Sequence, residues 1–375
     1  MNFERWQKNA WIVGIAGLVL AAAGLMFSRE QFFRSYLWAF LFWFGIGMGC
    51  LPLLMLYHLV GGAWGFTIRR IVECGARTIP VMAVLFLPIL FGVHSLYEWS
   101  RPEVLAQSEV IARKHAYLNT PFWILRAIVY FAIWMLYAYR LNQLSAIEDE
   151  TGDITLAERL QRLSAPGLVV YGLTVTFAVF DWAMSLEPEW YSSIYGLLWI
   201  VNQALSALAL AILVIVLLAR GPAADTLNDL GNLLFAFVML WAYLAFAQFL
   251  IIWSGNLPDE IQWYLSRLNN GWQWIAAMSV AFHFAIPFLL LLGRVNKQVP
   301  SRLGSIAVVL LLMRALDTFW MITPAFYHER LSVHLLDLFA VVGIGGVWVA
   351  VFVGALRSVP LVPLHDPNAV PHKAI

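Results

Sequence analysis

Six ionisable residues lie within or at the ends of long apolar stretches of this 375-residue chain: Arg126, Asp181, Glu187, His283, Arg314 and Asp317. A charge at membrane depth costs several kcal/mol, so such groups generally face a bundle interior and mark a proton or ligand path. Asp181 has Thr174 seven residues before it and Ser185 four after it on one helical face, a polar stripe in an apolar helix. That stripe suits a proton acceptor or a hydrogen-bond partner for a quinol, and it also suits a carboxylate locked to an arginine. Arg126 is at a depth similar to Asp181 and Glu187, so an ion pair with either fits. Arg314 and Asp317, three apart near the middle of one helix, share a face and partly neutralise each other. A buried pair seldom adds net stability over apolar packing, which leaves a proton-transfer role open beside scaffolding. His283, near the middle of another helix, suits a proton relay, a donor to a quinone carbonyl, or a satisfied core residue.

Metal chemistry has little to work with. The two cysteines, Cys50 and Cys74, form no CxxC or CxxCH motif, so neither an iron–sulfur cluster nor a covalently attached haem c is expected on this chain alone. Haem ligation by His283 needs a second histidine at matching depth, and His58 and His94 sit near opposite membrane edges. The chain is expected to bind no metal and no redox cofactor of its own.

The elements that must position these residues are membrane helices. Hydrophobic residues make up 62% of the sequence and charged ones 12%, too apolar a balance for a soluble fold. The net charge of +1, without a basic stripe, excludes nucleic acid as a partner. Apolar stretches of about 20 residues, enough to cross the bilayer core, recur throughout. They predict an all-α integral membrane protein of about ten transmembrane helices, at 8–27, 36–60, 78–97, 122–141, 166–186, 193–219, 229–253, 272–292, 303–325 and 335–357. The first lacks a small-x-small cleavage site and reads as a retained helix rather than a signal peptide. The connection 142–165 holds the acidic run Glu148-Asp149-Glu150 and a short amphipathic piece, Leu156 to Leu163, expected on the membrane surface. Residues 1–358 form one polytopic domain, with bundles at about 36–186 and 193–325, and residues 359–375 an irregular tail that is free or bound to a neighbour. Of the 23 Lys and Arg, 14 fall on the side of the N-terminus and 7 on the other, so both termini are expected in the cytoplasm of a bacterial inner membrane. Trp6, Trp11, Trp99, Trp190, Trp263 and Trp272, near helix ends, read as interfacial anchors, whereas Trp182 packs in the core or lines a ring-binding pocket. Pro88 and Pro287 inside apolar helices allow the broken helices of a secondary transporter, a competing reading.

The segment F-D-W-A-M-S-L-E-P-E-W-Y-S-S-I-Y-G, from Phe180 to Gly196, closes the fifth helix, turns at Pro188 and opens the sixth. It resembles the bend of ActF, the smaller polysulfide-reductase-like (NrfD-like) membrane subunit of alternative complex III, on Asp181, Trp182, Ser185, Glu187, Pro188, Trp190 and Gly196. Y-H-L-V-G-G-A-W-G-F, Tyr57 to Phe66, and Q-F-L-I-I-W-S-G-N-L-P-D-E, Gln248 to Glu260, extend the likeness over roughly residues 35 to 330. The resemblance implies two four-helix bundles flanked by a helix on each side. It also implies a place in a quinol oxidoreductase beside a larger ActC-like subunit and peripheral iron–sulfur and haem c subunits. In that family the quinol site is assigned chiefly to the larger subunit, and the smaller one serves as structural partner and candidate proton conduit. A purely structural anchor for peripheral subunits is the third reading.

Overall fold

The computed structural model describes residues 2–218 and 223–366. Among these, ten helices are long and apolar enough to cross a membrane: Phe3–Met26, Arg29–Val60, Ala63–Phe91, Thr120–Thr151, Thr155–Leu186, Tyr195–Leu217, Ala224–Gly255, Trp272–Leu292, Pro300–Ala325 and Leu335–Arg357. No strand occurs among the described residues. The chain is a multi-pass, all-α membrane protein, and ten spans place Phe3 and Arg357 at one face, called here the terminal face.

The second span is the hub. It packs against the third, fifth, sixth, ninth and tenth spans and is buried along nearly its whole length. Close approach to the sixth depends on Gly49, where a Cβ would fall 1.9 Å from the Gln203 carbonyl oxygen. The first and tenth spans pair through facing glycines, since a Cβ on Gly346 would lie 2.4 Å from the Gly14 backbone and one on Gly17 would lie 2.7 Å from Gly343. In an apolar solvent this close backbone contact is the main source of helix association.

Three of the differences from the sequence reading share one reason. The third span begins at Ala63, the fourth runs to Thr151 through Glu148-Asp149-Glu150, and Leu156 to Leu163 is the first part of the fifth span rather than a surface helix. The fourth and fifth spans, each 32 residues, are about 48 Å long at 1.5 Å per residue, well beyond a bilayer core of about 30 Å. Their ends therefore project at the terminal face, where charged residues stay helical because they neutralise one another. Pro88 does break the third span into short helices, and Pro287 follows a π-helical turn, Ser279–Ala285, in the eighth. Trp6 and Trp11 are exposed as expected of anchors, but Trp99, Trp190, Trp263 and Trp272 are buried packing residues.

Candidate functional site

The bend from Phe180 to Gly196 is an ionic and aromatic joint at the face opposite the termini. Arg126 grips Asp181 with two parallel bonds, Nε to Oδ2 at 2.8 Å and Nη2 to Oδ1 at 2.7 Å, and Tyr130 donates to Oδ2 at 3.1 Å. The guanidinium also donates to the Tyr117 carbonyl at 2.9 Å and lies over the Tyr117 ring, 3.8 Å from its centroid. Burial pushes the Tyr117 phenol, in the connection before the fourth span, up to about 12. The Asp181 carbonyl accepts from Trp123 Nε1 at 2.9 Å and from Ser185 Oγ at 2.6 Å. Trp182 belongs to an aromatic core with Phe86 and Phe131, ring centroids 4.7 Å and 5.6 Å away, and lines none of the larger cavities.

Glu187 pairs not with Arg126 but with Arg267, from the short helix Pro258–Arg267 that follows the seventh span. Both Glu187 oxygens accept, at 3.1 and 2.6 Å, and Arg267 Nη2 also reaches the Met321 carbonyl at 3.0 Å. Trp190 stacks on Trp263 at 4.8 Å, and the Arg267 guanidinium lies over Trp263 at 3.9 Å. Pro188 offers its carbonyl to Lys114 Nζ at 2.6 Å, and Gly196 makes room for Thr176. The family-like bend thus clamps the fourth and fifth spans to the surface helix and to the ninth.

A different site opens among the seventh, eighth and ninth spans. Here a cavity of about 670 Å³ is lined by aromatic rings, among them Trp241, Phe249, Trp263 and Trp320, and by the polar Gln248, Tyr264, Ser279 and Asp317. Asp317 is ion-paired with Arg314, whose Nη2 also reaches Thr318 Oγ1 at 3.3 Å. Burial raises the Tyr264 phenol to about 12, so it stays a neutral donor and acceptor. His283 is wholly buried against Trp241, ring centroids 4.1 Å apart, in the π-helical turn. Such turns are frequent at functional sites. Neither nitrogen of His283 has a partner among the described residues, and the same holds for Ser279 Oγ and Arg314 Nε. The structure therefore brings His283, Arg314 and Asp317 to one region and keeps Asp181, Arg126 and Glu187 in another.

A third centre, not singled out from sequence, lies at the terminal face. Arg69 bonds Glu73 at 2.9 Å and also pairs with Glu148 and Asp366, while Arg70 holds Glu73 and Asp149. Ser145 donates to Glu73 at 2.6 Å, and Tyr57 bonds Asp366. The tail up to residue 366 is thus bound to its own chain, and residues 367–375 lie outside the described part. Arg69-Arg70 followed by Glu73 at helical spacing was the available signal. No group of His, Cys, Asp or Glu that could hold a metal ion occurs among the described residues. No family model matches the chain, and no curated protein matches it.

Proposed function

We propose that this chain is the smaller, ActF-like membrane subunit of a respiratory quinol:electron-acceptor oxidoreductase of the alternative complex III type. In this reading it binds no redox cofactor itself, keeps both termini in the cytoplasm of a bacterial inner membrane, and supports quinol oxidation and proton translocation beside an ActC-like subunit and iron–sulfur and haem c subunits. The observation that carries the reading is the bend: Asp181, Glu187 and Trp190, the residues of the family resemblance, each hold a different partner in one joint. A joint that braces several spans at one face is what a subunit needs to present a fixed surface to peripheral proteins. The bidentate Asp181–Arg126 pair favours an anchoring role for Asp181 over proton transfer. Affinity purification of the tagged chain from its native membrane tests the proposal. Co-purifying iron–sulfur and haem c polypeptides are the expected result, and a chain recovered alone under mild detergent would contradict it.

A further inference from the structure

We infer that the cavity among the seventh, eighth and ninth spans is a binding site, in this chain itself, for a membrane-soluble quinone. The inference rests on the cavity and not on membership of a complex. At about 670 Å³ the cavity is in the range of small-molecule sites, which are mostly apolar with a few convergent polar groups. Its wall includes Tyr243, Phe246 and Val280, all strongly exposed on the outer surface of membrane spans, so it opens sideways towards lipid and not towards water. A ligand entering by that route must itself be dissolved in the bilayer.

The inner polar groups decide the chemistry. Ser279 is seven residues inside the Trp272 end of the eighth span, about 10 Å deep at 1.5 Å per residue. Its hydroxyl is buried at the cavity wall without a partner. Leaving such a group unsatisfied costs about 1–3 kcal/mol, so a ligand that accepts its proton is favoured. Gln248, Tyr264 and Asp317 add further polar atoms to the same wall, and the Trp241 ring, backed by His283, offers a stacking face. A flat ring with carbonyl oxygens and an apolar tail satisfies all of this: oxygens towards Ser279, ring among the aromatics, tail through the lateral opening. A phospholipid does not, because its phosphate belongs at the surface and Arg314 is already paired with Asp317.

Titration of the purified full-length chain with decylubiquinone and with a short-chain menaquinone, followed by quenching of tryptophan fluorescence, tests the site. Saturable binding of at least one probe is expected, weakened at least about tenfold by Ala242→Trp, which fills the cavity. Ser279→Ala should weaken it by about two- to tenfold, the worth of one hydrogen bond, with the fold unchanged. Binding of neither probe, binding indifferent to both variants, or equal displacement by phosphatidylcholine would each overturn the inference.

Discussion

The joint at Asp181 and the cavity at Ser279 are both polar islands in apolar helices, yet they are built in opposite ways. At Asp181 the charges answer each other, although Arg267 Nε and Trp190 Nε1 elsewhere in the bend have no protein partner: Arg126 spends its donors on Asp181 and the Tyr117 carbonyl, and Asp181 receives two guanidinium bonds and a phenol. At the cavity Ser279 Oγ on the wall, and His283 and Arg314 Nε behind it, are left without protein partners. A satisfied network rigidifies a fold, whereas an unsatisfied one is a cost that a ligand can relieve. Buried charge alone thus does not mark a binding site; at Ser279 an unanswered hydroxyl lines a cavity of about 670 Å³, against about 360 Å³ for the one beside the bend.

That contrast predicts a ranking of effects. The largest belongs to Arg69→Met, which leaves Glu73, Glu148 and Asp366 without a shared cation. Breaking a buried pair costs about 3–5 kcal/mol, and this change should lie at the upper end, read as loss of monodisperse protein on size exclusion. Asp181→Asn leaves Arg126 buried and uncompensated, with a loss of about 3 kcal/mol. The double change Asp181→Leu with Arg126→Met should recover folded protein, because apolar replacement of both partners is close to neutral. If the single variant assembles fully while proton-coupled turnover falls, Asp181 is a proton carrier after all and the comparison fails. Glu187→Gln, at the partly exposed Arg267 pair, should cost about 1.5–3 kcal/mol, measured as a lowered denaturant midpoint. The smallest effect belongs to His283→Leu. Since neither ring nitrogen is bonded, the change should alter stability by less than about 1 kcal/mol. A large loss there would mean that the histidine is structural.

Much of this organisation was legible in the sequence. Stretches of about 20 apolar residues located all ten spans, and 272–292 and 335–357 agree with Trp272–Leu292 and Leu335–Arg357. The i to i+3 spacing of Arg314 and Asp317 foretold their pair, and similar depth offered Asp181 and Glu187 alike to Arg126, of which the structure takes Asp181. What could not be read was long-range complementarity. Arg69 and Glu148 are 79 residues apart, and Glu187 and Arg267 are 80 apart. Arg69, Glu148 and Arg267 looked like loop charges, because hydropathy counts a charge as an exit from the membrane whether or not a partner meets it, and Glu187 was matched in depth to Arg126 instead. The cavity was equally hidden, since Ser279 is an ordinary serine until its neighbours are known.

The most direct measurement is the apparent midpoint of thermal unfolding of the purified wild-type chain, Asp181→Asn and Ser279→Ala, each with and without decylubiquinone. Ligand that binds only the folded state raises that midpoint. Asp181→Asn should start lower than wild type and keep the ligand-induced rise, while Ser279→Ala should start level with wild type and show a smaller rise, in step with its about two- to tenfold weaker binding. The reverse pattern, with Asp181→Asn abolishing the rise at an unchanged starting midpoint and Ser279→Ala keeping it, would contradict the account.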